Sequence, residues 1–352
     1  MDTIIVKVTE QGDSIKRASD ILRAGGLVAF PTETVYGLGG DGLNKEASGK
    51  IYAAKGRPSD NPLIIHIGDR DALGELVKEV KKPAVKLMDA FWPGPMTLIF
   101  DKADRVPKET TGGLDTVAIR YPSHPIALRL LRESGVYIAA PSANLSGRPS
   151  PTDARHVVED LNGRIDMILD GGAVEIGLES TIIDVTGVHP VILRPGFITK
   201  EMIEQILPDI TVDPAILVES KQERLVAKAP GMKYKHYAPR GQLYLVEGTN
   251  EKAVFEKINA LVKEASEKGL RAAVIATEES AGSYPAGLVK VMGSRLREET
   301  VAKKLFAILR EMDDLGVDII YSESFGRQGL GQAIMNRLLK AAGYQIISAD
   351  ES

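Results

Sequence analysis

Leu27-Val28-Ala29-Phe30-Pro31-Thr32-Glu33-Thr34-Val35-Tyr36-Gly37-Leu38-Gly39 opens with four apolar residues and turns polar at a proline. A short apolar run that stops at Pro reads as a buried strand emptying into a loop of hydroxyls. Upstream, Ile15, Ala18, Ile21 and Leu22 recur at helical spacing behind Ser14, which reads as an N-cap, and Gly25-Gly26 closes the pattern. Downstream the alternation continues, with strands expected at 63–67, 97–100, 117–120, 136–140 and 181–185, and helices at 45–54, 125–134 and 153–161. The fold class is therefore α/β, with the polar motifs at strand ends and in loops.

At 352 residues the chain has room for two domains. Hydrophobic residues make up 43% and charged residues 26%, the balance of an ordinary soluble globular protein. A net charge of -4 gives no global pull toward nucleic acid, so RNA contact would need a local basic patch. The absence of Cys excludes disulfides, thiolate nucleophiles and Cys-based metal sites. Its five His residues, at 66, 124, 156, 189 and 236, show no metal-ligand spacing. The first residues lack the charged and apolar segments of a signal peptide, and no apolar run approaches the ~18–20 residues of a membrane span. A cytoplasmic protein without a membrane partner is the expectation.

From 207 to 239 the pattern breaks. Pro208, Pro214, Pro230 and Pro239 interrupt it, and the segment closes with Met232-Lys233-Tyr234-Lys235-His236-Tyr237. Scattered Pro without a sustained period reads as a linker, while the aromatic and basic content suits a strap or a lid equally well. Strand and helix patterns then resume: strands at 243–246, 272–276, 288–292 and 318–321, helices at 252–265, 298–312 and 331–342. The expected organisation is a domain at 1–206, a linker or lid at 207–239, and a smaller Rossmann-like α/β domain at 240–352.

Two short motifs gather chemistry in the first domain. Lys55-Gly56-Arg57-Pro58 precedes Asn61-Pro62, and Pro141-Ser142-Ala143-Asn144 follows a strand. Cations with hydroxyls and amides suit a ligand rich in phosphate and carboxylate oxygens. Each fragment also has an ordinary reading. Lys55 and Arg57 suit a solvated helix C-terminus, and Ser142 with Asn144 suits a capped turn. Arg120 suits a sheet rim or a bidentate grip on a carboxylate. Glu179-Ser180-Thr181 and Arg194-Pro195-Gly196 suit plain turns. No Gly-x-x-x-x-Gly-Lys-Ser/Thr occurs, which removes the P-loop, and Gly326, Gly329 and Gly331 do not have Gly-x-Gly-x-x-Gly spacing.

Taken in order, the motifs resemble the threonylcarbamoyl-AMP synthase family in its longer, two-domain form. Pro-Thr-Glu-Thr-x-Tyr-Gly-Leu, Lys-x-Arg-Pro, Ser-x-Asn-x-Ser-Gly and Glu-Ser-Thr all occur, and a YrdC-like domain is matched from about residue 10 to 200. The second domain is similar to the family's C-terminal domain, including Gly329-Leu330-Gly331-Gln332-Ala333-Ile334-Met335-Asn336-Arg337. The likeness thus covers nearly the whole chain, with no departure at the Lys-x-Arg or Ser-x-Asn positions.

The resemblance implies a YrdC-like twisted mixed sheet with a concave cavity. It implies an enzyme that joins L-threonine, bicarbonate and ATP into threonylcarbamoyl-AMP, releasing pyrophosphate. A separate transferase machinery then moves the group onto the adenosine beside the anticodon of tRNA. Mg²⁺ is implied on the ATP phosphates without a direct protein ligand. Lys55 and Arg57 are implied as catalytic cations. The nucleotide subsite is implied to use Arg57, Asn61, Thr116, Ser142, Asn144, Ser150 and Arg194, with Tyr234 closing over it. The threonine subsite is implied to use Thr34, His66, Arg120, Ala140 and Ser180. Two other readings compete: a non-catalytic module for double-stranded RNA, which the acidic net charge does not favour, and a carbamoyl-transfer enzyme of hydrogenase maturation, whose Cys zinc finger this chain lacks.

Overall fold

The computed structural model describes residues 2–9, 12–217, 236–284 and 288–350. They form two units, the first holding the described residues up to 217 except 147–149, the second holding 147–149 with 236–350.

In the first unit, strands β1 (Ile4–Lys7), β2 (Val28–Phe30), β3 (Gly37–Asp41), β4 (Ile64–His66), β5 (Met96–Asp101) and β6 (Thr116–Arg120) come in chain order. After them follow β7 (Ile138–Ala139), β8 (Met167–Asp170), β9 (Thr181–Asp184), β10 (Val191–Arg194) and β11 (Thr211–Val212). They make one sheet in the order β1-β8-β2-β3-β7-β4-β6-β5-β9-β10-β11, with parallel and antiparallel neighbours mixed. Helices α1 (Ser14–Arg23), α2 (Lys45–Lys55), α3 (Leu73–Leu76), α4 (Lys82–Phe91), α5 (Pro125–Ser134) and α6 (Ala154–Leu161) lie between the strands. Two short helices, α7 (Lys200–Glu204) and α8 (Pro214–Leu217), come last.

The alternation of side chains along β4, β6, β5 and β9 divides the sheet's two faces. Ile65, Ile119, Leu98 and Ile183 point into the main core with Ile51 and Tyr52 of α2. Ile64, Ala118, Ile99 and Ile182 point the other way, and with Leu193 they form a small apolar cluster of their own. The polar site residues share this second face.

Most sequence-based elements stand within a residue or two of expectation; three differ for physical reasons. Ser14 is the first helical residue rather than the N-cap, which is Asp13, and the buried Ser14 hydroxyl has no partner among the described residues. Gly37-Leu38-Gly39-Gly40-Asp41 is a strand without β-branched residues. Glycine is needed there because a Cβ on Gly39 would lie 2.6 Å from Ile138 Cγ2 and 2.9 Å from Phe30 Cε1. Residues 211–217, read as the start of a linker, instead add edge strand β11 alongside β10, followed by α8. The remaining linker residues 218–235 lie outside the described residues, Tyr234 among them.

The second unit has five parallel strands, β12 (Gln242–Glu247), β13 (Ala272–Ala276), β14 (Leu288–Val291), β15 (Ile319–Glu323) and β16 (Ile346–Ser348). Their order is β14-β13-β15-β12-β16. Helices α9 (Glu251–Glu267), α10 (Glu298–Asp314) and α11 (Gly329–Ala341) connect them. This is the expected Rossmann-like layering, with one further strand, β16, at an edge.

Candidate active site

Strand register assembles the site. Ile138 pairs with His66, His66 with Arg120, Arg120 with Thr97, Thr97 with Ile182, and Ile182 with Arg194. Residues paired across strands point to the same face, so His66, Arg120 and Thr97 line one transverse row, and Arg194 joins its end across a register shift in β10 through its bonds to Ser180. Four of the sequence-stretches singled out above thus meet through pairing that no local motif encodes.

His66 and Arg120 are both buried. His66 Nδ1 lies 3.1 Å from the Ile64 carbonyl, to which a neutral imidazole donates, and its ring meets Phe30 edge-on at 6.1 Å. Burial, and after it the Arg120 charge, holds the His66 pKa down to about 3. The group beside Arg120 is therefore an uncharged hydrogen-bonding wall at neutral pH. Ser180 Oγ lies 2.7 Å from Thr97 Oγ1. Arg194 donates through Nε and Nη2 to the Ser180 carbonyl, at 3.1 and 2.9 Å, and through Nη2 to Ser180 Oγ at 3.1 Å. Arg194, expected on the nucleotide, is thereby tied to Ser180, expected on threonine. Thr34 and Ala140 border the same place: Thr34 follows Glu33, which pairs with Arg120, and the Ala140 amide donates to the Ile64 carbonyl at 2.8 Å.

The second group forms around the end of α2. Asn44 caps its N-terminus, accepting from the Glu46 and Ala47 amides, and left-handed Gly56 (φ 62°) ends it immediately after Lys55. Lys55 is buried rather than solvated. Its ammonium donates to the carbonyls of Ser142 and Asn144, both at 2.5 Å. The cation ties the Ser142–Asn144 loop to the helix end. Within the loop Ser142 Oγ donates to Asn144 Oδ1 at 2.5 Å. Arg57 turns back onto the next segment, donating to the Asn61 carbonyl (3.3 Å) and the Pro62 carbonyl (3.0 Å). Asn61 is buried, and its Oδ1 has no hydrogen-bond partner among the described residues.

Ser150 donates to Glu179 Oε1 at 2.5 Å, which brings it beside Ser180 through the carboxylate that precedes that serine. Thr116 stands apart. It lies four residues along β6 from Arg120, about 13 Å away on the same face, and its strand partner is Asp101. A separate cavity beside α1 and α2, lined by residues such as Leu27, Lys50 and Arg164, contains none of these side chains.

The sequence reading passed over Glu33 and Thr97 as site residues. Glu33 stood inside the quoted loop, but a carboxylate among hydroxyls carries no local mark of pairing with Arg120, 87 positions away by number. Thr97 is visible only as a polar residue within an apolar strand.

Comparison with known proteins places this arrangement. A family model described as "Telomere recombination" matches residues 20–196, and one described as "Threonylcarbamoyl-AMP synthase, C-terminal domain" matches 198–343. The chain belongs to the threonylcarbamoyl-AMP synthase family. It is 50% identical to the threonylcarbamoyl-AMP synthase of Pyrococcus abyssi, over 98% of this chain and 99% of that one. Identity to the Bacillus subtilis threonylcarbamoyl-AMP synthase is 51%, over 95% of this chain and 94% of that protein. A crystal structure of P. abyssi Sua5 complexed with L-threonine superposes with a TM-score of 0.91 at 47% identity, covering 99% of each chain. Both units therefore share the family's two-domain architecture.

Proposed function

We propose that the His66–Arg120–Thr97 row is the threonine end of an active site whose nucleotide end is the Arg57–Asn61 turn with the Ser142–Asn144 loop. The reaction is the family's: L-threonine, bicarbonate and ATP become threonylcarbamoyl-AMP and pyrophosphate, for threonylcarbamoyladenosine modification of tRNA. Threonine's amine and bicarbonate give a carbamate as the C–OH bond of bicarbonate breaks and water leaves, and a carbamate oxygen then attacks the α-phosphorus while pyrophosphate leaves. Two anions must meet, so the barrier is one of charge and orientation and needs fixed cations more than a protein nucleophile.

In this reading Arg120 grips the threonine carboxylate with its planar fork. Neutral His66 and the Ala140 backbone close that end, and the hydroxyls of Thr34 and Ser180 face the side-chain hydroxyl. Arg57 offsets charge on the phosphates, which builds as pyrophosphate departs. Asn61, Ser142, Asn144 and Ser150 fix the nucleotide, and Thr116 borders it at the far end of β6. Lys55 acts through the loop it holds, and Arg194 couples the two subsites through Ser180. Mg²⁺ arrives with ATP and offsets phosphate charge when bound; among the described residues no group of three His, Asp or Glu is arranged to hold a metal. The product passes to a separate tRNA-modifying transferase.

The observation that carries this reading is the cross-sheet row that aligns His66, Arg120 and Arg194 beside Ser180. Pyrophosphate release measured with ATP, bicarbonate and each amino acid in turn tests it. Release is expected to need L-threonine and bicarbonate together and to proceed without tRNA. Equal turnover without threonine, or an absolute need for tRNA, overturns it.

A further inference from the structure

Glu33 and Arg120 form an ion pair without a hydrogen bond. Arg120 Nη2 lies 2.8 Å from Glu33 Oε1, and the two side chains are 5% and 4% exposed. Yet among the described residues neither Glu33 oxygen accepts a hydrogen bond, and Arg120 Nε and Nη2 donate none. Buried polar groups are otherwise almost always satisfied, so two orphan acceptors beside two orphan donors call for an explanation. The loop beneath them is not loose. Thr32 Oγ1 donates to the Val35 carbonyl at 2.6 Å, and the Glu33 and Thr34 carbonyls accept from the amides of Ile176 and Gly177 at 2.9 and 3.1 Å. The backbone is pinned on both sides, while the carboxylate, though paired in charge with Arg120, accepts no hydrogen bond among the described residues.

A ligand that satisfies this pair must accept from the guanidinium edge and donate to the carboxylate from a neighbouring atom. An α-amino acid does both, because its opposite charges sit on adjacent carbon substituents. A simple carboxylate would bring a second anion beside Glu33 and leave its oxygens unmet. We infer that Glu33 accepts hydrogen bonds from the α-amino group of threonine, so that the site reads its substrate as a zwitterion. This rests on the assignment of Arg120 to the threonine carboxylate made above. The contact survives the first chemical step, since the carbamate nitrogen of threonine keeps one N–H.

The alternative is that Glu33 only orients Arg120. Comparing L-threonine with (R)-3-hydroxybutyrate separates the two, because the second ligand keeps the carboxylate and hydroxyl but has no amine. Calorimetric binding to the full chain, with the weaker ligand measured by displacement, is expected to favour threonine by about 10- to 100-fold, the worth of a hydrogen bond between charged groups. Glu33→Gln should remove most of that preference by weakening threonine alone. Equal weakening of both ligands, or of neither, overturns the inference. Arg120→Lys serves as the control: unchanged threonine binding in that variant would sink the threonine assignment of the row itself, whatever Glu33 does. Should Glu33→Gln fail to fold, Glu33→Asp, which retracts the carboxylate while keeping its charge, gives the same comparison.

Discussion

Glu33 in the first unit and Glu323 in the second are both buried carboxylates with an arginine alongside, and their surroundings treat them in opposite ways. Glu323 accepts from the Ser280 hydroxyl, from the Tyr284 phenol at 2.7 Å and from Arg295 Nη2. Arg295 in turn donates to the Ser324 carbonyl at 2.8 Å and lies 4.8 Å from the centre of the Phe325 ring. Among the described residues Glu33 accepts no hydrogen bond, and its arginine keeps two nitrogens without acceptors. Glu323 stands at the carboxyl end of a parallel strand, where α/β sheets ordinarily take ligands. Even so, its polar groups close on one another and make a wall. A satisfied network rigidifies, whereas buried polar groups left unpaired cost stability that a ligand can restore.

The largest effect is expected at the open pair. Arg120→Ala should raise the threonine requirement by about 100-fold, the loss typical of a preorganised charged donor, with a far smaller change in the ATP requirement. Steady-state titration of each substrate separately decides this. A defect selective for ATP would reverse the two subsites and erase the contrast with Arg295.

Lys55 tests the contrast from inside the first unit, because its cation is engaged as fully as Arg295. Lys55→Met should lower the melting temperature and raise the ATP requirement about tenfold, roughly 1.4 kcal/mol of lost loop positioning. Turnover that falls with melting unchanged would mean that Lys55 acts on the substrate directly.

How much of this was legible beforehand depended on range. Both ends of α2 were readable because Asn44, Gly56 and Pro58 act on their immediate neighbours. The Gly37–Asp41 strand was not, because its glycines answer to Ile138 and Phe30, which lie elsewhere in the sequence. In the same way Lys55 looked like a solvated helix end, since nothing near it in sequence announces the Ser142 and Asn144 carbonyls. Ordered motifs identified the family and pointed to two groups of candidate site residues. They did not reveal that Arg194 holds Ser180 or that Glu33 faces Arg120, which are consequences of strand register and loop closure.

His66 offers a smaller and slower test. Its pKa of about 3 in the fold lies below the ordinary 6.5. Between those two values the unfolded chain binds a proton that the folded chain refuses, so folding is favoured fully above pH 6.5 and progressively less as pH falls toward 3. Wild-type melting temperature should therefore drop more steeply from pH 6.5 to 4 than that of His66→Gln, which has no such group to titrate. Parallel curves would show that the folded imidazole takes up its proton as readily as in the unfolded chain, and below pH 6.5 the row would then carry two cations instead of one.

The smallest effect on catalysis is expected at the closed pair, and it is the one that most directly sharpens the comparison. Glu323→Gln keeps the shape and removes the charge. The Ser280 and Tyr284 hydroxyls retain an acceptor of lower strength, and Arg295, whose side chain is 31% exposed, reaches water. The cost should be about 1–2 kcal/mol of stability, since a charge-assisted hydrogen bond becomes a neutral one. Pyrophosphate release should stay within about twofold of wild type, a change below 0.5 kcal/mol. The tyrosine provides an internal check. Burial, and then the Glu323 charge, pushes the Tyr284 phenol above its ordinary range. Ultraviolet titration of the variant should move one tyrosine partway back down, with burial holding the remainder. If the threonine requirement also shifts, the closed cluster belongs to the catalytic apparatus, and completeness of hydrogen bonding no longer separates wall from site in this protein.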